Sequence, residues 1–253
     1  MKIIFLGTGT STGVPVIACS CEVCRSDDKK DQRLRCSVYI ETEQTKLVID
    51  TGPDFRTQML DQKLTDIDAV VFTHNHKDHT GGLDDIRPIN YINKKVIDVY
   101  AEMSVQKTLK MEYPYIFHDQ DYPGVPQINL HTIDETLFNI NGLDLIPIRV
   151  LHKNLPVLGY RIGDFTYITD ANYIAPEQLE KAKGTKILVL NALRKEAHYS
   201  HFSLSEALEI IEIIQPEKAY LTHIGHHMGF HEEVEKSLPE NVFIAYDGLI
   251  LDV

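Results

Sequence analysis

The chain has 253 residues, 43% of them hydrophobic and 25% charged, with 37 acidic against 25 basic side chains and a formal charge of −12. That is enough chain to bury a sizeable core, and the composition is that of a globular protein without low-complexity runs. The charge repels a phosphate backbone and no basic run beyond Lys29-Lys30 relieves it, which argues against long nucleic acid as a partner; a small phosphorylated substrate stays admissible, because bound cations invert the local field.

In chain order, MKIIFLGTGTSTG has only a short apolar run before glycine, too short for a signal-peptide core or a membrane span. It reads as a first strand over 2–6 of a cytoplasmic protein with no membrane partner. GTGT at 7–10 lacks the GK[ST] ending of a P-loop and reads as a tight turn after that strand. ACSCEVCR at 18–25 then brings Cys19, Cys21 and Cys24 close together. In a reducing compartment cysteines are more often thiols or metal ligands than bridges, and spacings of two or three residues leave a bridged loop little slack. Cys21 and Cys24 have the CxxC spacing of a redox pair, but Cys19 is then unexplained. As metal ligands the three thiols need a fourth partner, for which Cys36, opening the next strand, is one candidate and an ordinary buried residue the other reading.

Strand-like runs rich in β-branched and aromatic residues follow at 36–41, 46–50, 69–73, 143–150, 158–162, 165–169, 186–190, 218–222 and 242–246. Helical signals at 54–62, 82–94, 101–112, 176–183, 203–216 and 229–237 lie between them; in SLSEALEIIEIIQP, Ser203 and Glu206 make a capping box and Pro216 ends the helix. The irregular stretch at 110–127 holds Tyr113, Tyr115, Phe117, His118 and Tyr122. It reads as a surface excursion or dimer contact, with an aromatic flap over a substrate as the alternative, and a homodimer is the expected assembly. Helices interspersed among strands, without a repeat or a Pro/Ser-rich linker, indicate an α/β fold and one domain over 1–253.

The chemistry concentrates in FTHNHKDHTGG at 72–82, where a strand delivers His74, His76, Asp78 and His79 to a turn from which Gly81 and Gly82 let the backbone bend away. Imidazole and carboxylate together suit zinc, manganese or iron. Four such groups exceed the share one tetrahedral ion takes from a single loop, which suggests two metals. Asp50, His152, Asp170 and His223 each follow a strand, as ligands do where a sheet fixes the strand ends.

THNHKDH resembles the HxHxDH motif of the metallo-β-lactamase superfamily, with Asp50, His152, Asp170 and His223 in that superfamily's order. LGTGTSTGVPVIACSCEVC, LHKNLPVLGYRIG, YITDAN and YLTHIGHH are similar to its phosphodiesterase subfamily typified by the accessory enzyme of the carbon-phosphorus lyase pathway, which opens ribose cyclic phosphates. The resemblance implies an αββα four-layer sandwich, two mixed sheets with helices outside. It implies one divalent ion, manganese or zinc, on His74, His76 and His152 and a second on Asp78, His79 and His223, with Asp170 bridging and Asp50 orienting a ligand histidine. Hydroxide between the ions would attack the phosphorus of a small cyclic nucleotide or sugar phosphate, and His201 would protonate the leaving alkoxide. His198 and Arg194 are further candidates for substrate contact, each also readable as a surface residue. The resemblance points to His226 as the ligand that completes Cys19, Cys21 and Cys24, a structural zinc in a small loop around 19–24; the adjacent His227 is the alternative ligand.

Three other functions compete. A transfer-RNA 3′ endonuclease shares HxHxDH but is opposed by the charge and the lack of a long basic arm. The related protein of pyrroloquinoline quinone biosynthesis carries a similar cysteine cluster. A metal-binding module without catalysis is the third.

Overall fold

The apolar run at the N-terminus has hydrophobic residues in both phases because its strand is covered on both sides. β1 (Lys2–Gly7) turns Ile3 and Phe5 toward a second sheet and Ile4 and Leu6 toward a layer of helices. The structure, a computed structural model, describes residues 1–117 and 124–253. After β1 come β2 (Ser37–Glu41), β3 (Lys46–Ile49), β4 (Ala69–Val71), β5 (Ile97–Ala101) and β6 (Ile128–Thr132). They are followed by β7 (Phe138–Ile140), β8 (Leu143–His152), β9 (Leu155–Ile162), β10 (Phe165–Ile168) and β11 (Tyr173–Ile174), then β12 (Ile187–Asn191), β13 (Lys218–Thr222), β14 (Val242–Ile244) and β15 (Ile250–Asp252).

One sheet has the order β15-β1-β2-β3-β4-β5-β6 and the other β11-β8-β9-β10-β12-β13-β14, with β7 paired to β8. Both are mixed: β3 to β6 run parallel, as do β10, β12, β13 and β14, and the remaining pairs are antiparallel. Ile3, Phe5, Val38 and Ile49 of the first sheet meet Leu158, Tyr160, Tyr167 and Val189 of the second, and each such side chain gains about 1.5–3 kcal/mol on full burial. Outside the first sheet pack α1 (Phe55–Asp61), the short α2 (Lys77–Thr80), α3 (Arg87–Asn93), α4 (Met103–Glu112) and α5 (Pro114–Phe117), with Phe55, Met59, Ile89, Val105 and Leu109 pointing inward. Outside the second lie α6 (Pro176–Ala182), α7 (Leu204–Ile214) and α8 (His231–Glu235), held by Leu179, Ala207, Ile211 and Val234. The layering is the αββα sandwich expected from the sequence.

Ser203 accepts from the Glu206 N–H, and the Glu206 carboxylate returns to Ser203, so the capping box forms as read. Strands β5, β6, β7, β11 and β15 are additions to the sequence reading. In 110–127, Tyr113 and Tyr115 turn inward and donate to the Thr80 carbonyl (2.9 Å) and Asp84 Oδ1 (2.7 Å), so they brace the turn that carries the histidine motif. His118 and Tyr122 lie outside the described residues. Among the described residues no helix is long and apolar enough to cross a membrane.

What positions the site is a shared edge. β3, β4, β10 and β13 end there in Asp50, the His74 segment, Asp170 and His223. Asp50, Asp170 and His223 have φ of 64°, 56° and 58°, left-handed values that turn the chain sharply as it leaves each strand.

Candidate metal centres

Asp50, fully buried, collects the polar groups of the motif strand. Its Oδ1 accepts the Thr73 backbone N–H (2.9 Å), and its Oδ2 accepts the Thr73 hydroxyl (2.8 Å) and the His79 Nδ1–H (2.7 Å). With its hydrogen given to Asp50, the Thr73 oxygen accepts from His74 Nδ1 at 3.0 Å. His152 Nδ1 donates to the Ser200 carbonyl at 2.8 Å, and His223 Nε2 lies 3.1 Å from the Thr10 hydroxyl. In each of these four histidines one ring nitrogen is held by a partner, which turns the other nitrogen toward the shared edge.

The nitrogens so turned in three of the rings, His74 Nε2, His79 Nε2 and His223 Nδ1, are buried and make no hydrogen bond. They face one carboxylate. Asp170 Oδ1 lies 3.0 Å from His223 Nδ1 and 3.4 Å from His79 Nε2, while Oδ2 lies 3.7 Å from His74 Nε2. Three ligand groups, His74–His76–Asp170, His79–Asp170–His223 and His152–Asp170–His201, therefore share Asp170, each with ligand atoms within 4.8 Å of one another. Buried nitrogens without partners around a shared carboxylate are a donor set that suits divalent metal, and the residues present fit it. Asp78 Oδ2 stands 3.3 Å from His79 Nε2. The exposed His76 is T-shaped to His74 at 4.6 Å and to His152 at 5.1 Å between ring centroids.

The charges suit cations. Burial raises the pKa of Asp170, but His223 and His79 outweigh it and hold the carboxyl well below its ordinary range. Burial and the neighbouring His79 push His74 well down, which keeps it neutral. Burial would lower His79 and His223 too, yet carboxylates prevail. Asp170, Asp50 and Asp78 hold His79 well above its ordinary value, and Asp170 together with Cys36 brings His223 up to about 10.

The glycines act differently from the expectation. Gly81 and Gly82 have negative φ of −69° and −110°, so no unusual bend needs them. They allow close approach instead: a Cβ on Gly82 would lie 2.1 Å from the Gly52 carbonyl oxygen, and one on Gly52 would lie 2.2 Å from that of Asp78.

His201, mostly buried, lies 4.5 Å from His152 and 4.7 Å from His223 between ring centroids, and it groups with His152 and Asp170 at ligand-like separations. Burial and the neighbouring His223 push it down to about 3. His198 stands one ring further out, 5.4 Å from His201. Arg194 is not brought to the cluster: its guanidinium donates to the Glu196 and Ala197 carbonyls of its own loop.

Cys24 sits on a short 3₁₀ turn (Val23–Arg25), and His226 opens another (His226–Met228). The Sγ atoms of Cys19, Cys21 and Cys24 lie 3.3, 3.4 and 3.4 Å from the single atom His226 Nδ1. One nitrogen cannot hydrogen-bond three thiols at once. The distances are close to the ligand separation of about 3.6 Å that bonds of 2.3 and 2.0–2.1 Å give in a tetrahedral zinc site. The Cys24 backbone N–H and the His226 ring draw the Cys21 thiol down to about 6, while burial pushes Cys24 up to about 11. Cys36 is not in the group; it is buried with Sγ 3.4 Å from Thr222 Oγ1.

Sequence reasoning did not assign Thr10, Thr73 or Ser200, which orient ligand histidines. Only GTGT, singled out as a turn, pointed toward one of them.

Residues 45–224, which carry all the clustered ligands outside the cysteine loop and His226, match the beta-lactamase superfamily domain. A crystal structure of a diphosphatase from the PhnP family is 37% identical, with a TM-score of 0.93 over 100% of this chain and 97% of that one. Zn(2+)-bound PqqB from Methylobacterium extorquens has a TM-score of 0.82 over 100% of both chains at 17% identity, a likeness of fold. An octanoyltransferase of Porphyromonas gingivalis is 40% identical over 252 residues, 98% of this chain and 51% of that protein, so the chain spans about half the length of this relative. With its two mixed sheets, its HxHxDH turn and a domain match over most of its length, the chain belongs to the metallo-β-lactamase superfamily of hydrolase folds and resembles the PhnP family within it.

Proposed function

We propose that residues 1–253 act as one metallo-β-lactamase-fold domain, a metal-dependent phosphodiesterase acting on a small cyclic nucleotide or sugar phosphate. The observation that carries this reading is the sharing of Asp170, whose two oxygens face different histidine groups. His74, His76 and His152 would hold one ion and Asp78, His79 and His223 the other, with Asp170 between them. When bound, the pair, manganese or zinc, supplies a water of lowered pKa and neutralises charge on the phosphoryl oxygens.

The chain's own residues do the remainder. Asp50 and Thr73 fix the tautomers of His79 and His74, Ser200 fixes that of His152, and Thr10 holds the ring of His223 in place. His201 is neutral in the free protein, and an anionic phosphoryl group beside its ring favours the imidazolium. It takes up a proton in the substrate complex and passes it to the leaving sugar oxygen, completing the general-acid step. The cysteine site, as a structural zinc, ties the N-terminal loop to the segment after His223.

A screen of 1,2- and 2′,3′-cyclic phosphates with metal-reconstituted protein tests the reading. Hydrolysis of at least one is expected; a protein with both ions bound and no phosphodiesterase activity under any divalent ion overturns it. The 40%-identical relative named octanoyltransferase is about twice as long as this chain; octanoyl transfer is a second reading, so an octanoyl thioester belongs in the same screen.

A further inference from the structure

Between Arg194 and Phe202 the chain lies against the tip of the β8–β9 hairpin. The His152 bond to Ser200 is one contact there; beside it, Lys153 Nζ stands 5.4 Å from the ring centroid of Tyr199. Tyr199 is 71% exposed, and its ring packs on His198 with centroids 4.4 Å apart and planes 35° apart. His198 packs on His201 at 5.4 Å and 28°, and His201 on His223 at 4.7 Å and 24°. Rings thus step from an exposed phenol to imidazoles among the clustered ligands. The exposed Tyr199 ring offers a planar aromatic surface, and the Lys153 ammonium beside it, carried on a flexible stem, offers a positive charge for an anion.

We propose that Tyr199 and Lys153 form a subsite for the planar base of a nucleotide, so that this centre prefers nucleoside phosphates over base-free sugar phosphates. This rests on the phosphodiesterase reading for the position of the phosphate end. The base stacks on the Tyr199 ring in place of the Lys153 ammonium, which moves to a phosphoryl oxygen; the phosphate end then lies toward His201 and His152. Stacking of a base on an aromatic side chain corresponds to roughly a 5- to 150-fold gain in affinity.

Isothermal titration of the metal-reconstituted protein with AMP and with ribose 5-phosphate tests the subsite apart from turnover. AMP is expected to bind about tenfold or more tightly, Tyr199→Ala to remove that preference and Tyr199→Phe to keep it, with metal content and melting temperature checked in each variant. Lys153→Met is expected to weaken both ligands. Equal binding of the two ligands by the wild type, no measurable binding of either, or a preference that survives Tyr199→Ala overturns the proposal. An AMP preference without hydrolysis of any cyclic phosphate sinks the phosphodiesterase reading and leaves the subsite standing; hydrolysis with no base preference does the reverse.

Discussion

Asp50 Oδ2 and His79 Nδ1 are joined by a 2.7 Å hydrogen bond from which solvent is excluded on both sides, since neither residue is more than 1% exposed. The same carboxylate holds Thr73, so one side chain sets the ring orientation of two ligand histidines. Asp50→Asn keeps the shape, and Asn tolerates the left-handed backbone there, but it removes the charge that keeps His79 in this tautomer. A fall of about 10- to 100-fold in metal affinity is expected, read by competition with a chelator, with a much smaller change in melting temperature.

Metal binding should release protons. In the metal-free protein His79 is held well above its ordinary pKa and His223 at about 10, so both rings carry protons at neutral pH that an ion must displace. Because these values are raised, affinity is lowest in acid and increases as pH rises toward about 10. Calorimetric titration in two buffers of different ionisation enthalpy measures the protons released; a value of zero at pH 7 contradicts the assignment.

His201→Ala is expected to slow hydrolysis of a substrate with a sugar alkoxide leaving group by about 10²- to 10⁴-fold. Esters of p-nitrophenol, whose leaving group needs no proton, should lose far less. Equal losses on both substrate types would remove His201 from the proton-transfer role.

Cys21→Ser breaks the cysteine site without touching the histidine cluster. One zinc fewer per chain is expected, with a melting temperature lower by about 5–10 °C and a parallel loss of catalytic metal. The coupling runs through three residues of backbone, because His226 follows His223 and Gly225 N donates to the Leu193 carbonyl at the start of the His201 loop. Unchanged zinc content and melting would return the thiols to bystanders.

Gly52→Ala tests the close approach beneath the motif turn. Its new Cβ would meet the Asp78 carbonyl, and the resulting shift is expected to cost about 1–3 kcal/mol, some 2–4 °C of melting temperature per kcal/mol, with weaker metal binding.

The α/β class and the clustering of His74, His76, Asp78 and His79 rest on local signals, whereas the sandwich and the more distant candidates came only with the family resemblance. Strands buried on both faces read as apolar runs, and a motif of four ligands in one turn needs no tertiary information. β5 was not read although Ile97, Val99 and Ala101 are buried in alternation with Asp98 and Tyr100; the span is only five residues. The partners of the ligands were hidden for another reason. Thr10 meets His223 across 213 positions and Ser200 meets His152 across 48, distances over which a threonine or a backbone carbonyl leaves no mark in sequence. Gly81 and Gly82 were noticed, but their purpose needed the positions of Lys77 and Pro53 for the one and of Gly52 for the other.

The left-handed backbone at Asp50, Asp170 and His223 limits how this centre can be redesigned. A substitution there must satisfy the main chain before it can satisfy an ion, and valine, isoleucine and threonine are barred at all three positions by their branched Cβ. Asparagine, aspartate, histidine and glycine form the practical alphabet, which contains no thiolate. A library aimed at softer metals therefore has to vary His74, His76 and His152, where the strand or cap geometry is ordinary, and leave the three turning residues fixed.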